Sequence, residues 1–561
     1  MLNALRRKAR QVIHDPALRA WLTGRTLGRW PREPSFTPHQ PSYVTDQLPL
    51  ADETPAPPML FDACERRDLS GPITLDLAGT DITLTPSYGI DLMNRPFDDT
   101  EVLLALHRFS WLPLHGAKSN SSWVTALWQA WVAAHGTPDD GWAWHPYTAA
   151  ERAINLLDFG RVHGLPEPVA DTTHLLAAHA PVIAARLEYF GDHHTSNHLA
   201  NNGRGLYRLG LDLGLLKAAD LGRDILLNEG KRLFGPSGML REGSSHYHLL
   251  LTRNYLDTWL AAVRHDRPES EDLKQIAVRS IAVAKALMLP DGMPLVGDIS
   301  PDCPPAFLFN GWMRVLTPED HTRCRDLVDT TPKADPEALV SDGWLIGEWH
   351  DWSGLWHTAP KGWSHMPGHG HQDTGSFELC YQGQRIVIDP GRGQYGESGD
   401  AAFYRSADAH SGLQIDDEDP YPPNKPYYGD LFRETFGGPA PTLQYNTNGA
   451  RLAFEGYRRL RGVGTVERTW TFDGPRCVLS DVVDGRGTRA VTRRLVTPIE
   501  PKVAGDNLRL GPVTVAYSGS LPAIRPITLW SAYGRGVQGW ALESKSREPL
   551  PYSGTITIEA A

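Results

Sequence analysis

Histidine and aspartate side chains gather at one end of a predicted β-hairpin between residues 366 and 391. An alternating pattern typical of a half-buried strand, a Gln-Gly-Gln turn and a returning strand follow one another in this stretch. Its chemically active residues are His369, His371, Asp373 and Asp389. Imidazole and carboxylate groups brought together in this way suit a divalent metal ion, most simply zinc. A histidine cluster that only forms hydrogen bonds is the plainer alternative.

A third histidine, His410, lies after the hairpin and ahead of a short predicted strand. With His371 and Asp389 it forms a His-Asp-His set contributed by consecutive β elements. Three ligands of this type leave a fourth coordination position for water or another side chain. The sequence contains no HExxH, Walker or GxSxG motif that would indicate a different chemistry.

Two further polar clusters open otherwise apolar helices. Asn197, His198 and Asn201 stand at the start of one predicted helix, and Glu242 precedes Tyr247 at the start of another. Amide and imidazole groups at these places could bind a polar substrate. The structural alternatives are that asparagine caps the first helix and that the tyrosine is a packed amphipathic ring.

Two arginines upstream could bind an acidic group. Arg108 and Arg152 both lie in predicted helical segments, and a guanidinium group can hold a carboxylate through two parallel hydrogen bonds. A structural ion pair is the more common role for either residue.

Two kinds of structure must position these residues. Residues 1–95 are predicted to be a lead-in segment with a small hairpin at 73–84, and residues 96–335 repeat helical periodicity in pairs, which indicates an α/α toroid or solenoid. Residues 336–561 are short alternating segments typical of an antiparallel β-sandwich. The fold class is therefore α+β multidomain, with the cleft between the two parts as the expected binding site. The predicted helical runs are 121–135, 148–159, 173–190, 197–215, 218–234, 246–263 and 271–289.

The amino-acid composition limits which classes of molecule the protein is expected to bind. The chain has 561 residues, 41% hydrophobic and 22% charged, with a formal net charge of -11, which is typical of a soluble globular protein and argues against nucleic acid as a partner. Its 18 tryptophans and 18 tyrosines include candidates for sugar-stacking platforms, although most are expected in the core. The five scattered cysteines favour a reduced compartment or free thiols.

The N-terminal segment is basic and lacks the continuous apolar region of a secretory signal. No apolar run is long enough to predict a membrane span. A native start would therefore predict a cytoplasmic protein, whereas a trimmed start would hide a signal for the periplasm or for secretion.

Taken together, the motifs resemble the heparinase II/III-like polysaccharide lyases. The resemblance covers about residues 90–480 in the family's order, and the block from HGH to DPG is its most specific part. It implies an incomplete α/α toroid followed by an antiparallel β-sandwich. It rests on Asn197-His198 with Asn201, on Glu242-x-Ser244-x-x-Tyr247-His248, on PLVGD at 294–298, on HGHQDTGSFEL at 369–379 with IDPG at 388–391, and on YRSADAHS at 404–411.

The resemblance also implies roles for single residues. Asn197 and His198 would face the uronate carboxylate, Tyr247 would be the catalytic tyrosine, and His369 would be its acid/base partner. The predicted zinc ligands are His371, Asp389 and His410, and the zinc in this family has a mainly structural role. Ser411 departs from the family, which often has asparagine at that position.

Five residues form the predicted substrate-binding set, and one of them is a tyrosine. A second catalytic tyrosine in some relatives could correspond to Tyr404 or to Tyr395, and the sequence leaves both open. The set is Arg108, Arg152, Asn201, Glu242 and Tyr404.

The implied activity is β-elimination in a uronic-acid-containing polysaccharide: a heparin- or heparan-like glycosaminoglycan, an alginate or a bacterial exopolysaccharide. A glycoside hydrolase on the same toroid is the enzymatic alternative and would need two opposed carboxylates, for which Glu151, Glu242 and Asp373 are candidates. A non-catalytic protein of glycan binding or exopolysaccharide assembly is the third class. The expected partner is an acidic polysaccharide or oligosaccharide, and the oligomeric state stays open, a dimer included.

Overall fold

The computed structural model describes most of the chain and identifies a helical part followed by a sheet-rich part. The described residues are 16–30, 37–44, 61–64, 68–87, 90–115, 120–192, 194–359, 368–422 and 429–561. Met366, the first residue of the stretch that contains the predicted hairpin, lies outside them.

Helices dominate the chain up to residue 341, and successive helices pack in pairs, α8 with α9 and α10 with α11. Several start with side-chain caps, as the sequence pattern favours: Asp99 caps α2, Asn120 caps α4 and Ser244 caps α10. The helices are α1 Pro16–Thr26, α2 Thr100–Arg108, α3 Trp111–His115, α4 Ser121–His135, α5 Pro146–His163, α6 Val169–Ala177, α7 His179–Ala185, α8 His198–Leu213, α9 Leu216–Leu233, α10 Ser245–Arg264, α11 Ser270–Ala286, α12 Pro318–Thr330 and α13 Pro336–Ser341.

One predicted helix is divided in two. The run predicted over 173–190 contains the end of α6, which ends at Ala177, and α7, which begins at His179 and ends at Ala185, so residues 186–190 are not helical. Pro181 has no N–H with which to bond the carbonyl of Ala177, so a continuous helix would lose a hydrogen bond at that turn. In the third position of α7 the missing N–H needs no intrahelical partner, which is why the helix restarts there.

The C-terminal part consists of two antiparallel sheets that face each other, which confirms the predicted β-sandwich. The small sheet has the order β3-β4-β5-β6, and the large one has the order β12-β13-β14-β16-β11-β10-β9-β8, with β7 paired to β11 and β15 to β16. Aromatic side chains of both sheets share one core, where Trp349 stacks on Phe472 at 4.7 Å. The strands are β3 Trp344–Trp349, β4 Trp352–His357, β5 Phe377–Tyr381, β6 Gln384–Val387, β7 Leu413–Ile415, β8 Thr442–Asn446, β9 Gly449–Phe454, β10 Val463–Asp473, β11 Arg476–Thr497, β12 Lys502–Ala504, β13 Asn507–Leu510, β14 Val513–Tyr517, β15 Ala523–Ala532 and β16 Arg535–Ala560; α14 Gly399–Phe403 and α15 Gly429–Phe436 lie between them.

The predicted hairpin before Asp389 is present as β5 and β6. Its two-residue turn places Gln382 at φ 49° and Gly383 at φ 80°, as a type I′ turn requires. The expectation of a half-buried strand was wrong, because all five residues of β5 are buried. One face of the small sheet packs on the large sheet, and the other face, through Leu355 and Cys380, packs on Leu249 and Val283 of the helical part.

A hairpin near the N-terminus joins the two parts. Its strands, β1 Ile73–Leu77 and β2 Thr80–Leu84, are those predicted at 73–84. They pack into the helical core, and Asp76 and Asp81 form ion pairs with Arg535 of the large sheet, at 3.1 and 2.7 Å. Within the described residues no helix is both long and apolar enough to cross a membrane.

Candidate active site

The two predicted polar helix starts meet the histidine loop of the sandwich at the junction of the two parts. Asn197 directly precedes α8 and Tyr247 lies in the first turn of α10. Asn197 makes no side-chain cap of α8; instead its Nδ2 donates to Glu242 Oε2 at 2.8 Å, and its backbone N–H donates to Glu242 Oε1 at 2.7 Å. The capping alternative for Asn197 is therefore ruled out, and Glu242 has the role of orienting the amide.

Tyr247 lies between a histidine and a second tyrosine. Its ring stacks on the imidazole of His369 with centroids 3.4 Å apart, and its hydroxyl is 2.5 Å from the hydroxyl of Tyr395. Tyr395 in turn donates to the carbonyl of Ile299 at 3.3 Å, which leaves Tyr247 as the donor between the two hydroxyls. Burial raises the pKa of both tyrosines well above 10, so both are neutral phenols at rest.

Hydrogen bonds define the protonation of His369. Its Nδ1 is 3.2 Å from Asp298 Oδ2, and its Nε2 is 3.3 Å from Asn197 Nδ2. A carboxylate can only accept and an amide nitrogen can only donate. The proton therefore belongs on Nδ1, and Nε2 presents a lone pair, as in a histidine held by a carboxylate for general-base work. The carboxylate of Glu242 lies 3.6 Å from the same Nε2.

Asp298 connects this histidine to the rest of the sandwich loop. Its Oδ1 accepts from His371 Nε2 at 2.9 Å and from Arg392 NH1 at 2.8 Å, while Oδ2 faces His369. Burial alone would raise the pKa of Asp298, but the hydrogen bonds from His369 and His371 and the charge of Arg392 hold it well below its usual range. A permanent carboxylate therefore orients both histidines.

His198 forms a separate charged pair at the same junction. Its Nδ1 is 2.7 Å from Glu188 Oε1, and its side chain is 43% exposed, so the opposite edge of the ring is open to a ligand. Burial lowers the pKa of His198, but the charge and the hydrogen bond of Glu188 outweigh this and raise it above 6.5. The pKa of Glu188 falls to about 2, because His198, His145 and Asn202 overcome the effect of burial.

Arg108 and Asn201 lie behind His198 and bind protein groups. Arg108 NH1 donates to Asp302 Oδ1 at 2.6 Å, and its guanidinium lies 4.7 Å from the ring of Tyr147, which contacts His198 at 4.7 Å. Asn201 is buried, and its Nδ2 donates to the carbonyl of Tyr147 at 3.4 Å. Both residues therefore support Tyr147, whose ring contacts His198. A direct contact of Arg108 or Asn201 with substrate stays a prediction.

The predicted metal ligands adjoin Asp298 through one of their number, His371. Ligand atoms of His371, Asp373 and His410 all lie within 4.8 Å of one another, and the three side chains are buried. Asp389, the predicted carboxylate ligand, instead contacts His410 Nδ1 through Oδ2 at 2.8 Å, and His410 Nε2 is 3.1 Å from the carbonyl of Tyr404. A carbonyl oxygen only accepts, so Nε2 carries a proton and Nδ1 faces a carboxylate. A histidine in these surroundings is either doubly protonated, as an imidazolium, or binds a cation together with the carboxylate. The second case fits a metal site.

The structure overturns two predicted substrate contacts. Arg152 is fully buried inside the helical part, where it donates to the carbonyls of His107 and Ala143 and lies 3.9 Å from the ring of Trp131. Tyr404 is also buried, and its hydroxyl accepts the N–H of Thr528 within the large sheet. Neither side chain reaches the junction, because tertiary hydrogen bonds occupy both, and Tyr395 is the tyrosine that reaches Tyr247.

Arg152→Ala should therefore destabilise the protein and leave substrate binding unchanged. The substitution leaves two carbonyls without a donor and a cavity between tryptophans, which together cost about 3 kcal/mol of unfolding free energy. Thermal unfolding should show the lower midpoint, and the Michaelis constant of the folded protein should stay at the parent value. An increased Michaelis constant with an unchanged midpoint would restore the substrate-binding role.

The sequence interpretation missed several residues that complete the site. Glu188 lies in a segment predicted to be helical, and Arg392 directly follows the DPG motif. Asp298 closes the PLVGD motif, so its polar end after an apolar run was the available signal. Asp298 pairs with His369 and with Arg392, both from distant segments of the chain, which spacing could not reveal, whereas Glu188 lies only ten positions before His198.

Comparison with known proteins gives one family and several similar folds. The model of the family described as heparinase II/III-like, C-terminal, matches residues 331–555. A crystal structure of heparinase III is similar with a TM-score of 0.60 and 16% identity, over 83% of this chain and 78% of that one. The heparan sulfate lyase HepC from Pedobacter heparinus is similar with a TM-score of 0.51 and 17% identity, over 84% and 79%. A search of curated proteins found no match. At these identities the structural likeness is one of fold: the same helical part followed by antiparallel sheets.

Proposed function

We propose that this chain, whose residues 331–555 match the model of the heparinase II/III-like C-terminal family, is a polysaccharide lyase that cleaves a uronic-acid-containing polysaccharide by β-elimination. The observation that carries the proposal is the contact of Tyr247 with His369 at the junction of the two parts, with Asp298 and Asn197 fixing the histidine. A neutral phenol and an imidazole lone pair then stand side by side, which is an acid and a base without any cofactor in the bond-breaking step.

The reaction needs a base, an acid and groups that offset negative charge, and the site has residues for all three. The lone pair on His369 Nε2 accepts the proton from C5 of the uronate, and the C5–H electron pair forms the double bond to C4 as the C4–O bond breaks. The phenol of Tyr247 donates its proton to the departing oxygen. Substrate displaces the hydrogen bond from Asn197 Nδ2 to His369 Nε2, which frees the lone pair for the C5 proton. The released N–H of Asn197 and protonated His198 offset the charge that builds up on the uronate carboxylate.

Each of the three candidate carboxylates for a hydrolase is engaged by protein groups, and no two of them face one another across the site. Glu151 forms an ion pair with Arg204 at 2.8 Å inside the helical part, and Glu242 holds Asn197. Asp373 is buried 3.6 Å from His357. Since an inverting or retaining hydrolase needs two carboxylates facing one bond, these contacts favour the lyase.

The direct test is a screen of uronate polysaccharides for product absorbance in the near ultraviolet. A lyase creates an unsaturated uronyl end, which absorbs there, whereas a hydrolase creates a reducing end without that absorbance. Heparan sulfate, alginate and bacterial exopolysaccharides are the first substrates to test. Reducing ends that appear without absorbance would overturn the proposal in favour of a hydrolase.

The pH dependence of substrate affinity should report on His198. Because its pKa is raised by Glu188, the imidazolium is present below that pKa and is lost as the pH rises through it. The Michaelis constant should therefore increase on the alkaline side of this pKa. Glu188→Gln keeps the hydrogen-bonding shape, removes the charge, and should move the increase to lower pH. A profile that Glu188→Gln leaves in place would assign the ionisation to another group.

The same proposal includes one zinc ion, with a structural role, held by His371, His410 and one carboxylate. Sequence and family resemblance favour Asp389 as the carboxylate, and the proximity of its oxygen to His410 supports this; Asp373 lies in the same cluster. Zinc bound there would tie the hairpin loop to the strand that follows it.

Metal analysis after purification without chelator should find close to one equivalent of zinc. His410→Ala should lose the metal and lower the thermal midpoint, since binding energy at such a site contributes to folding. Asp389→Asn and Asp373→Asn should be compared for metal content, because the true ligand will show the larger loss. Full-length protein without any transition metal would contradict the proposal.

A further inference from the structure

An exposed tryptophan stands at the rim of the helical part. Trp142 is 52% exposed, and within the part of the chain that the structure describes it is the one tryptophan among the exposed large hydrophobic residues. It opens the short 3₁₀ turn Trp142–Trp144 between α4 and α5. Trp144, two residues later, points into the core with no exposure, so the turn separates an outer from an inner ring.

The turn that carries Trp142 is held firmly from below. Trp144 Nε1 donates to the carbonyl of His135 at 2.7 Å, and Arg186 NH2 donates to the carbonyl of Trp144 at 2.6 Å. The guanidinium group of Arg152 packs on the ring of Trp144, with its Cζ 5.1 Å from the ring centroid. The exposed ring is thus presented by a fixed backbone, and a ligand that stacks on it has little ordering cost to overcome.

Direct contacts connect the exposed ring to His198. The rings of Trp142 and His145 have centroids 5.6 Å apart, and His145 Nε2 lies 3.6 Å from Glu188 Oε1. Glu188 holds His198 through that same oxygen. Trp142 therefore lies on the same rim as the proposed carboxylate-binding histidine, beyond His145.

A cationic side chain, Arg186, lies beside the turn that carries Trp142. Arg186 NH1 is 3.3 Å from Asp140 Oδ1, and Asp140 is fully open to solvent while Arg186 is partly exposed. An exposed pair of this kind contributes little and exchanges readily with another anion. The guanidinium is thus available to a carboxylate or sulfate group above the turn.

We infer that Trp142, His145 and Arg186 form an outer sugar subsite that binds an acidic pyranose some units away from the cleaved bond. The C–H face of a pyranose ring is weakly positive and complements the negative face of the indole, while Arg186 binds the acidic substituent. The inference rests on the proposed function, because the occupant is another unit of the same polysaccharide chain. It adds a reason for the enzyme to prefer long chains to short ones.

Calorimetry with oligosaccharides of two lengths tests this subsite. Tyr247→Phe protein, which should turn the ligand over at least about 100-fold more slowly than the parent, is titrated with a tetrasaccharide and a decasaccharide of heparan sulfate and of alginate. Adding Trp142→Ala should weaken binding of the decasaccharide by roughly five- to tenfold and leave the tetrasaccharide unchanged. Trp142→Phe should restore part of the loss. Tyr445→Ala removes an aromatic ring of similar exposure, 54%, from strand β8 and should change neither affinity.

The outcomes separate the subsite from the proposed function. A parent protein that binds and cleaves none of heparan sulfate, alginate and the bacterial exopolysaccharides would overturn both. Binding of both lengths that Trp142→Ala leaves unchanged, or weakens equally, would overturn the subsite alone.

Asp140→Asn tests the role of the cation by a change in the opposite direction. Removal of the competing carboxylate should strengthen decasaccharide binding by about two- to threefold at low salt, and added salt should abolish the gain. Weaker binding in Asp140→Asn would show that Arg186 does not bind the acidic group.

Discussion

Replacement of Tyr247 by phenylalanine is expected to lower turnover on a uronate polysaccharide by about 100-fold or more, while the protein stays folded. The substitution keeps the ring that stacks on His369 and removes only the hydroxyl that faces Tyr395. Without the phenol no group in this position can protonate the leaving oxygen. Stability should fall by only about 1 kcal/mol, the value of one buried hydrogen bond. Product absorbance and thermal unfolding measure the two effects separately.

Tyr404→Phe is the matched control for this prediction. It removes an equally buried phenolic hydroxyl that accepts one backbone hydrogen bond within the sandwich, so it should cost similar stability and little turnover. Tyr395→Phe should lie between the two, because Tyr395 orients the hydroxyl of Tyr247 from the other side. A Tyr247→Phe protein with near-parental turnover would remove the assignment of Tyr247 as the acid.

Local patterns in the sequence were sufficient for most of the elements and for the polar residues at several of their ends. The predicted helix over 121–135 is α4, the hairpin around Gln382-Gly383 is β5 and β6, and the starts of α8 and α10 are where polar clusters interrupt apolar periodicity. These features depend on side-chain periodicity and turn chemistry, which neighbours in the chain determine.

Partners from distant segments could not be inferred in the same way. Arg152 and Arg108 looked equivalent as candidates, yet one meets carbonyls and tryptophans inside the helical part and the other meets Asp302. Tyr395 and Tyr404 lie nine positions apart, and only the path of the loop after β6 decides which reaches Tyr247 across 148 residues of sequence. Burial of β5 on both faces likewise depends on how the helical part packs on the small sheet.

Asp298 shows how a single buried carboxylate links the two halves of the proposed site. It accepts hydrogen bonds from His369 on one oxygen and from His371 and Arg392 on the other. Asp298→Asn replaces one of these oxygens with an NH₂ group. Arg392 and His371 both need an acceptor, so the amide oxygen will remain on their side and the NH₂ group will face His369 Nδ1.

That orientation predicts the second large effect. His369 Nδ1 must then accept, its proton moves to Nε2, and the lone pair that takes the C5 proton is lost. Turnover should fall by about 10³-fold or more, as expected when a catalytic histidine is held in the wrong tautomer, with the Michaelis constant close to the parent value. Zinc content should be retained, because the bond from His371 to the amide oxygen persists. Asp481→Asn, at a buried aspartate that binds Arg468 inside the sandwich, is the control, since it should lower stability and leave the turnover of the folded protein intact. Loss of zinc together with turnover in Asp298→Asn would instead place the main role of Asp298 at the metal site.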